Sequence, residues 1–549
     1  MILLILSLLG LALGPFLDRF ASRKLSIVLL LEGFVTATIL GLVLGHILPE
    51  AAEIAGWRCL PAAFIGLVGP QLLEKLTRGS EDRIHGTVAT LAMAGLFFHT
   101  LLDGAALAGG QSASASPALG MGVVLHRLPV GLTVWWLVRR SAGTLVATVS
   151  LFAICMGTII GYGAGEATLA HLDNISVALF QAFVAGSLVH VVLHRSLMEA
   201  VSPEVAAGSG RVGPFDWSGI GAVLGVFVLL LVPLSGHAAE PRTGVAVNFL
   251  AYWSRSAPWL LLGYLAVEIF SRMIAAPGKW NLHTILLNWK PELSVPAGVS
   301  VSSLIAILVL APVFYLPVLF IAISTIGLFL SIVLFIVTLA AAALLIFSMA
   351  RLQILPNFTP ARELNHHPSE SARYAIETAV DRSAAWILIG LLVGALLSVY
   401  LSSQWLKAIP EAIQIAALTI TGALVSLPAF ASLPIAAALV AKGGSPGAAI
   451  SLIFAGAMLT STTSRTLKAA LGAQGNKRFL AVILAVSALT GWLVNTGGWA
   501  PTLSSSNVLS PLQYWSAILL GILFILSLLR LGPARMVAGL DHGTHTHNH

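Results

Sequence analysis

Charge is scarce in this chain. Only 9% of its 549 residues are Asp, Glu, Lys or Arg, while 57% are apolar. A water-facing surface draws on about 25% charged residues, so a soluble fold of this length is excluded and most of the surface must meet lipid. Cysteine is scarcer still: Cys59 and Cys155 stand alone, which excludes a disulfide framework and a thiolate metal cluster. The first residues, MILLILSLLGLALGPFLDRF, lack a basic leader and a small-residue cleavage site. They read as a retained first span rather than a removed signal peptide. The net charge of +7 is no nucleic-acid footprint, because Lys and Arg gather in short loops between apolar runs.

What is abundant is apolar sequence in lengths that cross a bilayer, about 20 residues each. The first half offers eight such runs, near 1–17, 25–50, 59–76, 84–109, 117–138, 143–164, 171–194 and 217–235. Ten basic residues fall in the loops after spans one, three, five and seven, and only Arg58 and Arg242 in the alternate loops. The basic loops are therefore expected on the cytoplasmic side, with both ends of this unit outside. A short polar stretch at 236–246 marks a boundary. The expected fold is all-α: a polytopic transmembrane bundle with an eight-span domain over 1–238, a second multi-span domain over 239–535, and a His-rich tail over 536–549. Spans are expected at 247–271, as two or three between Glu292 and Arg351, and near 384–401, 412–440, 445–464, 479–497 and 512–530. That makes 16 or 17 in a multi-pass cell-membrane protein, with a bacterial inner membrane the expected location.

The second half repeats itself. Arg255-Ser256-Ala257-Pro258-Trp259 through Gly263 matches Arg382-Ser383-Ala384-Ala385-Trp386 through Gly390, and Leu316-Pro317-Val318 is echoed weakly by Leu433-Pro434-Ile435. Transporters are often built from such repeats, with solute sites at broken helices between them. Chance similarity between apolar segments is the competing explanation. Pro428 and Pro434 break a helix here, and hydroxyls at Thr460, Thr462 and Ser464 end the next span. They could coordinate a small solute or simply pack helices together.

Ionisable side chains in mid-membrane are costly, at least about 2.5–3.5 kcal/mol for Asp, Lys or Arg. Each therefore asks for a partner or a role. Span four carries His99 and Asp103, four residues apart on one helix face, and span five carries His126, Arg127 and Pro129. Counting inward at 1.5 Å per residue puts His99 and His126 both about 15 Å from the outer boundary. Imidazole with carboxylate suits Zn²⁺ and similar divalent metals. The competing account is an Asp103–Arg127 ion pair with satisfied histidines. His46 and Glu50 near the outer mouth, and His190 and His194 near the inner one, would suit relays at the two mouths, or are polar residues snorkelling to water.

At these residues the first half resembles the ZIP family of divalent-metal transporters, over about 1–235. HILPEA (46–51), HTLLDGAALA (99–108), HRLPVG (126–131) and GSLVHVVLHR (186–195) match its second-, fourth-, fifth- and seventh-helix motifs in order. The resemblance implies metal import by rocking helix bundles, with His99, Asp103 and His126 as ligands. Val130 stands where a fourth ligand is usual, Thr100 for Asn, Arg127 for an acid, and Arg195 where a carboxylate is common. A fixed guanidinium at 127 repels a second metal, so one ion is expected. Residues 426–454 more weakly resemble a bacterial family of predicted permeases that includes organoarsenical exporters. That family's Cys-Ser-Cys turn is replaced by Pro428, Ala429 and Phe430, which argues against thiol chemistry with arsenic.

The leading expectation is a transporter of divalent cations, Zn²⁺ by default, with the metal as cargo and no organic cofactor. The alternative is a permease of another small solute in the second half, with the first half as metal sensor or scaffold. A membrane enzyme is disfavoured by the lack of a His-Glu-x-x-His arrangement. The expected partners are the bilayer and metal ions, with a homodimer as a further expectation and no nucleic acid. The spaced histidines of the tail would suit metal capture.

Overall fold

A computed structural model describes the chain except for residues 22–24, 78–95, 98–99, 102, 105–106, 108–116, 170–173, 195–210, 213–214, 232–238, 274–285, 287–300, 352–374, 499–509 and 539–549. The fold is an all-α polytopic helical bundle. Six described stretches are long and apolar enough to cross a membrane, and shorter apolar helices accompany them. The only strands among the described residues are two-residue pieces, β1 (Arg211–Val212) and β2 (Phe215–Asp216), paired antiparallel. Two compact units separate near Thr243. The first also takes in Ile525–Ala538, and the second comprises Gly244–Phe524.

The first unit opens with α1 (Ile2–Ala21) and α2 (Leu25–Leu42). The chain then widens into one π turn at Val43–Ile47 before α3 (Leu48–Ala55). Pro49 sits in the first turn of α3, where its missing N–H costs little. A 3₁₀ turn at Gly56–Arg58 leads into α4 (Cys59–Thr77). Next come α5 (Pro117–Leu169), whose two limbs join at Gly143 with φ of 87°, α6 (Asn174–His194) and α7 (Trp217–Leu231). Asp216 caps α7: its Oδ1 accepts from the Ser218 N–H at 2.8 Å and the Ser218 hydroxyl at 2.6 Å. Small residues bring backbones together, as expected where lipid supplies no hydrophobic drive between helices. A Cβ on Gly33 or Gly221 would collide with the facing α7 or α2 backbone, and Gly14 and Gly131 do the same for α1 and α5.

The second unit contains most of α8 (Ala239–Met273), α9 (Val301–Phe314), α10 (Leu316–Arg351), α11 (Ala375–Tyr400), α12 (Ser403–Ala408), α13 (Glu411–Val425), α14 (Ala429–Ala441), α15 (Pro446–Met458), α16 (Ser461–Thr496) and the first half of α17 (Pro511–Ala538). Helices α10 and α16 each reverse at one glycine, Gly327 (φ 83°, ψ 162°) and Gly472 (φ 72°, ψ 179°). That conformation is open to glycine and costly for L side chains. The limbs on either side pack antiparallel. Phe314 and Phe335 rings lie 5.5 Å apart. Ser451 and Ser487 exchange hydroxyl bonds to each other's carbonyls at 2.8 and 2.9 Å, and Asn476 donates to Ser464 at 2.8 Å.

Two spans therefore run through a central break. One is 301–326, interrupted at Tyr315, and the other is 446–471, interrupted at Leu459–Thr460. Pro312 and Pro317 remove two amide donors around Tyr315. Thr460 ends the other helix by starting a new one, its Oγ1 accepting from the Thr463 N–H at 3.0 Å. The region 292–351 thus holds two spans in its described part.

The expected span over 412–440 is not a span. It is two short helices, α13 and α14, that reverse at Ser426–Pro428. Ser426 adopts φ 55°, ψ 45°, and Pro428 disfavours helix at Leu427. Both helices keep their far ends at one face: α13 begins near Ser445, whose N–H donates to Gln414 Oε1 at 2.9 Å, and α14 ends in the 442–445 turn. Helices of 15 and 13 residues reach only about 20 Å. That is too short for a hydrocarbon core of about 30 Å, so the pair enters and leaves by the same face.

Candidate functional site

In the first unit, Asp103 and Arg127 come together. The segment holding Asp103 lies against the second limb of α5, where Gly104 meets the Thr158 and Tyr162 backbone and Gly157 meets Thr100 and Phe97. Arg127 projects from the first limb of α5. Its Nη2 stands 3.1 Å from Asp103 Oδ2, with Arg127 fully buried and Asp103 nearly so. The contact is an ion pair rather than a well-angled hydrogen bond, and among the described residues the Arg127 nitrogens find no hydrogen-bond acceptor. Asp103 has further partners.

His99 lies outside the described residues. His126 is on α5, one residue before Arg127, but its side chain is outside them too. Among the described residues no three His, Cys, Asp or Glu side chains cluster as a metal site. His46 falls in the π turn and Glu50, half-buried, in α3. His190 and His194 are on α6, and the side chains of all three histidines are likewise undescribed. Val130, where a fourth ligand would stand, is buried. One buried carboxylate was missed by the sequence reading: Glu32, within α2, is 3% exposed. An acid well inside the second predicted span was the available signal.

In the second unit the structure joins two of the sequence-selected positions through residues that sequence reasoning passed over. The breaks at Ser426–Pro428 and Leu459–Thr460 touch: Ser426 Oγ donates to the Leu459 carbonyl at 2.9 Å, and Gly456 lies close under the Leu427 carbonyl. Two helix C-termini, of α13 and α15, and two N-termini, of α14 and α16, meet there. Thr460 Oγ1 lies 2.7 Å from Thr463 Oγ1. Ser464 accepts from Asn476, and the Thr462 side chain is outside the described residues. Pro434 stands further along α14 and has no N–H to give the Phe430 carbonyl. The positive φ of Ser426 was not legible from sequence, since serine seldom adopts it.

The other broken span arrives at the same place. Tyr315 and Phe430 rings meet edge-on at 5.6 Å, both fully buried. Glycines position these segments: the repeated pair Gly263 and Gly390 leave room for Pro317 and Ala431, and Gly394 for Pro434. Pro317 and Pro434 thus each pack on one of the two repeated helices.

A family described as predicted permease matches residues 348–496. No curated protein and no solved structure matches the chain. The matched region contains α11 through α16, including both breaks that touch at Ser426 and Leu459. The chain is a multi-pass membrane protein, and the match to the permease family together with its apolar helices supports a membrane transporter.

Proposed function

We propose that the second unit is a permease that moves a small solute past the helix breaks at Ser426–Pro428 and Leu459–Thr460. The observation that carries this is their direct contact inside the region matched by the permease family. Broken helices place backbone carbonyls, amides and hydroxyls where intact helices would present only apolar side chains, and transporters use such ends to hold solutes in mid-membrane. Helix termini of both polarities converge there, so the site favours a polar or zwitterionic solute over a bare cation. No Asp or Glu lies between Glu411 and Asp541, so coupling through a membrane-embedded carboxylate in this stretch is not part of the proposal.

A second reading concerns the first unit. A divalent cation, Zn²⁺ by default, would bind Asp103 together with His99 and His126, either as cargo or as a signal. The burial of Asp103 beside the helix that carries His126 favours it. Arg127 would have to yield its contact with Asp103 to the metal, which makes this half better suited to sensing than to rapid transport. His46, Glu50, His190 and His194 remain proposed relay positions of this reading.

Full-length protein in proteoliposomes separates the two. Radioactive zinc uptake and counterflow of a panel of neutral, zwitterionic and anionic solutes are measured for wild type, Thr460→Val and His99→Ala/Asp103→Asn. Solute counterflow lost in Thr460→Val and retained in the double variant supports the permease reading. Counterflow by none of the panel, with zinc uptake abolished in the double variant, would replace it with the metal-transport reading.

A further inference from the structure

The repeated first helices of the second unit, α8 and α11, lie side by side in opposite directions. Tyr264 Oη meets Ser383 Oγ at 2.7 Å and Tyr252 Oη meets Ser398 Oγ at 2.8 Å, so low numbers on α8 face high numbers on α11. At the other end, Glu268 Oε2 accepts from the Ile376 N–H at 3.3 Å. Segments alike in sequence and antiparallel in space are related by an axis in the membrane plane. Exchanging equivalent positions turns the Tyr264–Ser383 contact into Leu391–Ser256, and those two are also buried.

The segments C-terminal to α8 and α11 obey the same relation. Residues 301–326 and 446–471 are each a span broken near its middle, and each reverses at a positive-φ glycine into a full-length return helix, 328–351 or 473–496. Because α11 runs to the face where α15 begins, Gly472 lies at the opposite face. The return limb 328–351 must end at the face where α11 begins, since the polar 352–374 stretch cannot cross a membrane. Gly327 therefore lies at the face opposite to Gly472.

We propose that residues 244–496 are an inverted-topology repeat, and that the Tyr315–Phe430 contact at its centre is the barrier a solute must pass. This deepens the permease reading and rests on it. The two aromatic rings come from the two repeats. Each belongs to a break: Tyr315 is the interruption of its span, and Phe430 is the second residue of α14 after the turn at Ser426–Pro428. Beside them lie the Ser426 hydroxyl and the Leu459 carbonyl. An apolar stopper set among polar groups divides an outward-facing half-path from an inward-facing one. Inverted repeats can open either half by exchanging conformations, with the stopper parting in between.

Two measurements test this on the full chain. In a Cys59→Ser/Cys155→Ser background, Leu328→Cys and Gln474→Cys, both at exposed positions beside the glycine turns, are treated in intact cells with a membrane-impermeant maleimide. One should label without permeabilisation and the other only after it; labelling of both from the same side overturns the inverted repeat. Glycerol is the probe for the barrier, with proteoliposome swelling followed by light scattering. Phe430→Ala should admit glycerol severalfold faster than wild type, and Phe430→Leu, which keeps the site filled, by a smaller factor. Wild-type rates in both variants overturn the barrier. Should Phe430→Ala fail to fold, Phe430→Leu alone decides by the same criterion. Neither measurement needs the natural solute, so a failure here leaves the permease reading standing, and a failed counterflow assay leaves the labelling result intact.

Discussion

Removing one member of the Asp103–Arg127 pair should destabilise the first unit far more than removing both. Arg127 is fully buried, and its carboxylate partner is 3.1 Å away. Stripping such a charge of its partner typically costs about 3–5 kcal/mol, whereas exchanging a buried pair for apolar groups of similar volume is often neutral. Each 1.4 kcal/mol is a factor of about ten, so Asp103→Leu or Arg127→Met should each lower the folded-to-unfolded ratio by roughly 10²-fold to several thousandfold. The double variant should fall by less than either single one. Equilibrium denaturation of the full chain in mixed micelles measures all four corners of the cycle. The backbone at Gly104, wedged against Thr158 and Tyr162, keeps the helices in register while the side chains change. Strictly additive losses would refute the reasoning, because they would mean that the two charges do not meet. So would a loss below about 0.5 kcal/mol for either single variant, the range of ordinary surface changes.

The second unit and the metal reading carry expectations of their own. Gly472→Ala forces a side chain into φ 72°, ψ 179°, a region essentially confined to glycine, with nothing crowding the site, so its cost should be conformational, about 1–3 kcal/mol in denaturation. Ser451→Ala and Ser487→Ala each remove one of two reciprocal bonds between the limbs; each should cost about 0.6 kcal/mol in denaturation, the mean for such bonds in membranes, and the double variant about the sum, since each hydroxyl bonds a backbone carbonyl that the other substitution leaves in place. A reporter fused after His549 should stand on the cytoplasmic side. Arg351, Lys468, Lys477 and Arg478 lie at the face where α11 begins, and α17 runs towards that face with Arg530 near its end. If Asp103 binds zinc, Arg127→Met should raise zinc affinity in equilibrium binding, since the competing cation is gone; unchanged affinity would count against Asp103 as a ligand.

How far the sequence could be read depended on what kind of force fixed each feature. Transfer from water to lipid acts on composition averaged over a span, so the helical membrane class, the main spans and the repeat at Arg255 and Arg382 were legible from residue types alone. The level of Asp103 and its neighbours could be counted along two helices, and the competing ion pair could be named from the same residues. Apolar composition cannot tell a helix that crosses from two half-helices that turn back, because both are buried away from water. That is why 412–440 reads as one span. Its reversal hangs on the backbone angles of Ser426 and the proline at 428. The single-residue bends at Gly327 and Gly472, the bond from Ser426 to the Leu459 carbonyl, and the meeting of Tyr315 with Phe430 were likewise decided only in the tertiary structure. Each joins residues distant in sequence or depends on one pair of dihedrals, and neither leaves a periodic trace along the chain.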